Sequence, residues 1–105
     1  MIARLWRGYA TVAKADDYQR HFTTNVAPHL QNIPGGRGAY LLKRRTDAQV
    51  EFLAITLWES LQSIEGFAGA DPTVAIVEPE GRAALSSFDD FASHFEVAFK
   101  AVPIS

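Results

Sequence analysis

His94 and Glu96 stand two residues apart in an alternating stretch, so on a strand both project to one side. A histidine with its ordinary pKa near neutral suits the removal of a proton from a substrate hydroxyl. The competing reading of His94 is a satisfied surface or interface residue. Two ligands do not make a metal centre, and spacing places no third His or carboxylate with them, so no metal is expected. Arg4 and Trp6 share a face of the first candidate strand, with Arg7 opposite. A half-buried arginine needs an acceptor. Arg4 could hold a phenolate or peroxide-like anion, or pair with Glu59 or Glu96 across the sheet. Trp58 ends a strand, where its indole offers stacking area and an N–H donor to a planar ligand. It fits equally well as a large core residue. His21 flanks an apolar helical stripe and His29 follows Pro28. Either could line a pocket mouth or stand in solvent.

Arg37-Gly38-Ala39-Tyr40-Leu41-Leu42-Lys43-Arg44-Arg45 has the look of an RNA-binding run. It falls on the second strand rather than the third, and it lacks stacking aromatics at alternating positions. It reads instead as a basic rim or a substrate-entrance patch. No phosphate loop, dinucleotide fingerprint or nucleophile elbow is present, and no cofactor is called for.

The chain of 105 residues suits one domain, 1–105. Its 48% hydrophobic and 21% charged residues are ordinary for a globular protein. A net charge of −2 gives no field that would recruit nucleic acid or an anionic membrane. With no Cys, disulfides and thiolate chemistry are excluded. The charged N-terminus is not a secretory segment, and no apolar run approaches the ~20 residues of a membrane span. A cytoplasmic protein is expected.

These side chains must be positioned by six elements. Ile2–Thr11 alternates as a strand. Lys14 to about Val26 carries Ala15, Tyr18, Phe22 and Val26 at helical spacing, with Pro28 predicting a break at Ala27. Gly38–Thr46 and Val50–Glu59 form a hairpin around Asp47-Ala48-Gln49. Ser60 is an N-cap for a helix ending near Gly69. Asp71-Pro72 opens a short turn, 79–87 is a helical turn or an ordered loop, and Ser93–Ala101 is the last strand. The order βαββαβ predicts a ferredoxin-like α+β fold, a four-stranded antiparallel sheet with helices on one face. Its other face carries aromatic residues, and a second copy of the chain is the simplest cover.

Several segments resemble the antibiotic biosynthesis monooxygenase-like domains: 2–8, Pro34-Gly35-Gly36-Arg37-Gly38, Leu57-Trp58-Glu59-Ser60 leading into Ile64-Glu65-Gly66-Phe67, and His94-Phe95-Glu96-Val97. The resemblance implies a dimeric α+β barrel. It also implies a cofactor-independent monooxygenase acting on a small aromatic or quinol compound. His94 and Arg4 are then the catalytic candidates, and Trp58 and Trp6 the substrate-binding ones. The alternatives are a non-catalytic ligand-binding or structural homodimer and, less in keeping with the residues, a haem-degrading protein. Many members carry a His nine residues after the strand-end Trp, and in haem-degrading ones a nearby His ligates iron; here that position is Phe67.

Overall fold

A computed structural model describes residues 1–101. The elements are β1 (Ile2–Thr11), α1 (Ala15–His21), a π-helix (Phe22–Val26), α2 (Ala27–Gln31), β2 (Gly36–Thr46), β3 (Gln49–Trp58), α3 (Leu61–Ala68), α4 (Pro79–Ala84), β4 (Ser87–Phe88) and β5 (Ser93–Glu96). The sheet runs β2-β3-β1-β4, all pairs antiparallel, and β5 also pairs with β1. This is the ferredoxin-like arrangement, with its last edge shared by two short strands.

Alternation sets the two faces. On β1 the even residues Arg4, Trp6, Gly8 and Ala10 are buried, and on β3 Phe52, Ala54, Thr56 and Trp58. These face the helices and form two clusters. One gathers Trp6, Tyr18, Phe22 and Phe52 beneath α1; the other gathers Leu30, Trp58, Ile64 and Ala68 beneath α2 and α3. Gly8 lets the Trp6 ring lie across the strand, since a Cβ there would stand 2.9 Å from that ring.

The chain departs from the sequence expectations in three places. The first helix does not break at Ala27, whose backbone is helical. Pro28 has no N–H to give the Thr24 carbonyl, and the chain widens instead: the Ala27 N–H bonds Phe22 O, five residues back. The last strand stops at Glu96 rather than Ala101, because Glu96 already faces Ile2. Among the described residues beyond it, the Val97 N–H alone continues the ladder, to Met1 O at 2.9 Å. Ser87–Phe88 pairs with Tyr9 and Gly8 as an additional short strand. Among the described residues no helix is long and apolar enough to cross a membrane.

Candidate functional site

A groove of about 800 Å³ runs between the α1–π–α2 segment and the β2–β3 edge. Its apolar wall includes Phe22, Leu30, Ala39, Leu41 and Trp58. Side-chain parity on β2 supplies much of it: Ala39, Leu41 and Lys43 all turn toward the helices, and Arg37 joins them across the irregularity between Gly36 and Gly38. Among the described residues the only charged groups lining the groove are Arg37 and Lys43. Six residues of strand put them about 20 Å apart. Arg37 also bonds Glu59 Oε2 at 3.1 Å, and Lys43 bonds Gln19 Oε1 at 2.7 Å. The volume lies in the range of small-molecule sites, ~300–1,000 Å³.

Trp58 borders this groove but is 1% exposed, so it meets it with a sliver of its surface. Its Nε1–H donates to Thr56 Oγ1 at 2.8 Å, leaving the indole a wall and not a free donor. Trp6 lies elsewhere, in the core with Tyr18 and Phe88, and its Nε1–H donates to Asp89 O at 2.7 Å. Arg4 and His94 are brought together as cross-strand neighbours on the helix-covered face. Arg4 donates from Nη2 to Val74 O at 2.9 Å and places its guanidinium over the Phe67 ring, 5.4 Å from the centroid. Neither acid anticipated from the sequence takes it: Glu59 is held by Arg37, and Glu96 makes no ion pair among the described residues. Burial lowers the Arg4 pKa from its usual value. Desolvation, and after it the Arg4 charge, hold the His94 pKa below its usual value, so the ring is neutral at neutral pH. Its Nε2 is buried without a partner.

One row across the sheet connects these places: Ala39, Thr56, Arg4 and His94 face one another on β2, β3, β1 and β5. The groove occupies its β2–β3 end. His94 stands at the other end, two strand spacings from Thr56, about 10 Å. Phe67 lies between, its ring 6.0 Å from that of Trp58 and under Arg4. Sequence reasoning did not find the groove wall from Phe22, Leu30, Ala39 and Leu41. The signal was the alternation of β2 opposite a helix interrupted at Pro28.

A haem in the groove would need an axial donor, and among the described residues no His, Met, Cys or Tyr lines it. His29 is 6.0 Å from the Phe67 ring, centroid to centroid, but is exposed and outside the lining. The residues lining the groove do not fit haem ligation.

A family model for antibiotic biosynthesis monooxygenases matches residues 1–79. No curated protein sequence matches. Among solved structures, the haem degrader MhuD of Mycobacterium tuberculosis, with two haems in its active site, superposes with a TM-score of 0.64 at 19% identity, over 97% of this chain and 100% of that one. A single-residue mutant of SnoaB, a cofactor-independent oxygenase of Streptomyces nogalater, gives 0.65 at 18% identity over 94% of each chain. The ActVA-Orf6 monooxygenase of Streptomyces coelicolor, in complex with nanaomycin D, gives 0.64 at 16%, over 98% of this chain and 92% of that one.

Proposed function

Because the chain belongs to the antibiotic biosynthesis monooxygenase family, we propose that it oxygenates a small aromatic or quinol compound without a metal or cofactor, the substrate lying in the groove between the π-helix segment and β2. The observation that carries this reading is the groove itself: about 800 Å³, walled by aliphatic and aromatic side chains, with cations as its only charged lining among the described residues. A cation beside a phenolic hydroxyl favours its ionised form, and only the electron-rich anion reacts readily with dioxygen. Lys43 at one end of the groove, or Arg37 at the other, would lower the pKa of a hydroxyl bound beside it. Leu41, Ala39 and the edge of Trp58 hold the ring. In the same reading Arg4 and His94, farther along the row and beyond the reach of the ring, serve as partner for an oxygen-derived anion and as proton acceptor. Trp6 supports that end as a wall.

Oxygen uptake with a panel of dihydroxynaphthalenes, quinols and anthrones tests the proposal. Wild-type protein is expected to exceed the uncatalysed rate. Ala39→Phe, which fills the groove from β2, is expected to abolish the excess. No uptake above background with any member overturns the oxygenase reading.

A second reading, a ligand-binding protein without turnover, is favoured by one observation: among the described residues no His, Asp, Glu or Tyr lines the groove to accept a proton. Saturable binding of a quinol, lost in Ala39→Phe and accompanied by no oxygen uptake, distinguishes it.

A further inference from the structure

The interface between sheet and helices holds a second, smaller space whose chemistry differs from that of the groove. It measures about 40 Å³, and Arg4, Trp6, Tyr18, His21, Thr56 and Phe67 are among its walls. Arg4 is 5% exposed. One of its nitrogens is bonded to Val74 O, while its Nε is buried and donates to nothing. Among the described residues no carboxylate lies within ion-pair distance of it. Glu78 borders the same space from an exposed position and makes no ion pair with Arg4.

A buried charge without a counter-charge is costly, and proteins pair such charges almost without exception. The Phe67 face offsets part of that cost. A water molecule would satisfy the Nε–H but not the charge. Since one water occupies ~30 Å³ of liquid, the space takes one to three heavy atoms and leaves no room for an organic body.

We propose that this space binds a small inorganic monoanion, with the Arg4 guanidinium as its counter-charge and Trp6, Tyr18 and Phe67 as its walls. Two sources share this chemistry. One is a halide from solution. The other is reduced dioxygen, which rests on the oxygenase reading: a deprotonated quinol that gives one electron to dioxygen becomes a radical, and dioxygen becomes superoxide. The space and the groove share Phe22, Leu30 and Thr56 as walls, so an anion formed beside the substrate has a short path to Arg4.

The test uses azide as the probe, titrated into the full chain at constant ionic strength and followed by its infrared antisymmetric stretch. A shifted band that saturates at one azide per chain and is displaced by bromide is expected. In Arg4→Met the saturating component should weaken at least tenfold. Ala54→Val fills the space from β3 while keeping Arg4, and should abolish the band even where Arg4→Met fails to fold. No saturating band in wild type, or an equal band in either folded variant, overturns the proposal. Azide that raises the KM for dioxygen assigns the site to reduced oxygen; azide that binds without touching oxygen kinetics assigns it to a halide. If the protein takes up no oxygen, the oxygenase reading falls, and the infrared titration still decides the anion site.

Discussion

Arg4 and His94 face each other across two strands, and each determines what the other can do. Desolvation and the neighbouring guanidinium disfavour imidazolium at His94, so its pKa in the folded chain lies below that in the unfolded chain. The unfolded chain therefore takes up the proton first on acidification. The stability contributed by neutral His94 is complete above about pH 6.5 and is lost as pH falls through the lower folded value. Thermal denaturation from pH 7.5 to 5 should show a steeper fall in Tm for wild type than for His94→Gln; equal slopes would mean the ring is not held neutral. If His94 is the proton acceptor, the same shift keeps it competent on the acid side of neutrality, and His94→Gln should lower kcat by about 10²–10⁴. Phe67 sets a further outcome. Its ring cannot ligate iron, and among the described residues no imidazole lines the groove, so hemin titration should give no ligated Soret band. A shifted band abolished by His94→Ala and by no other substitution would identify His94 as an iron ligand after all.

Among the elements, the turn from β3 into α3 depends on two small residues. The Ser60 hydroxyl accepts from Ser63 N at 3.2 Å as an N-cap, and Ser60→Ala should cost about 1 kcal/mol in urea unfolding. Gly35 has φ +88°, its carbonyl takes the Glu59 N–H at 2.8 Å, and a Cβ there would run into the Ser63 side chain. Gly35→Ala should therefore cost more than Ser60→Ala, by ~1 kcal/mol or more; equal midpoints would show that this corner yields. Ser60 was legible as a cap because it stands directly before an apolar stripe at helical spacing. β1 and β3 were legible because their alternation is strict. The π-helix was not. Pro28 announces only that an N–H is missing, and whether a helix breaks or widens depends on what packs beneath Phe22 and Leu30. The end of β5 was set by the strand opposite it and not by its own apolar pattern. Of the candidate site, the adjacency of the strands that carry Arg4 and His94 followed from βαββαβ order, but their turning to one face as direct partners did not, because parity alone does not fix the register between strands. The groove did not, because it is a space left between elements.

At the scale of the whole molecule, the sheet face away from the helices remains to be covered. Parity turns Leu5 and Tyr9 of β1, Tyr40 and Leu42 of β2, Leu53, Ile55 and Leu57 of β3, and Phe95 of β5 toward it. Tyr40, Leu42 and Phe95 are 62%, 46% and 56% exposed. Apolar surface so arranged is characteristic of an interface. The charges on this face are already paired within the chain. Glu51 is buried with Arg44 Nη2 3.0 Å from Oε1, and Arg7 Nε lies 2.8 Å from Oε2, although its N–H is not aimed along that line. An acid already held between two arginines opposes further burial less than a lone carboxylate there would. A self-complementary face satisfies this geometry with a two-fold axis through the sheet. We therefore expect a homodimer closed sheet against sheet. Sedimentation at micromolar concentration should give about twice the chain mass of 11.6 kDa. Leu42→Lys combined with Phe95→Lys places cations near the arginine cluster of both copies, and should halve the mass while far-UV circular dichroism stays unchanged. A wild-type monomer, or a dimer indifferent to both lysines, would place the contact elsewhere, and the exposed face would then need another occupant. Because the groove opens on the helix side of the sheet, dissociation by these lysines should leave quinol binding intact. If binding is lost together with the dimer, the partner copy helps to shape the site.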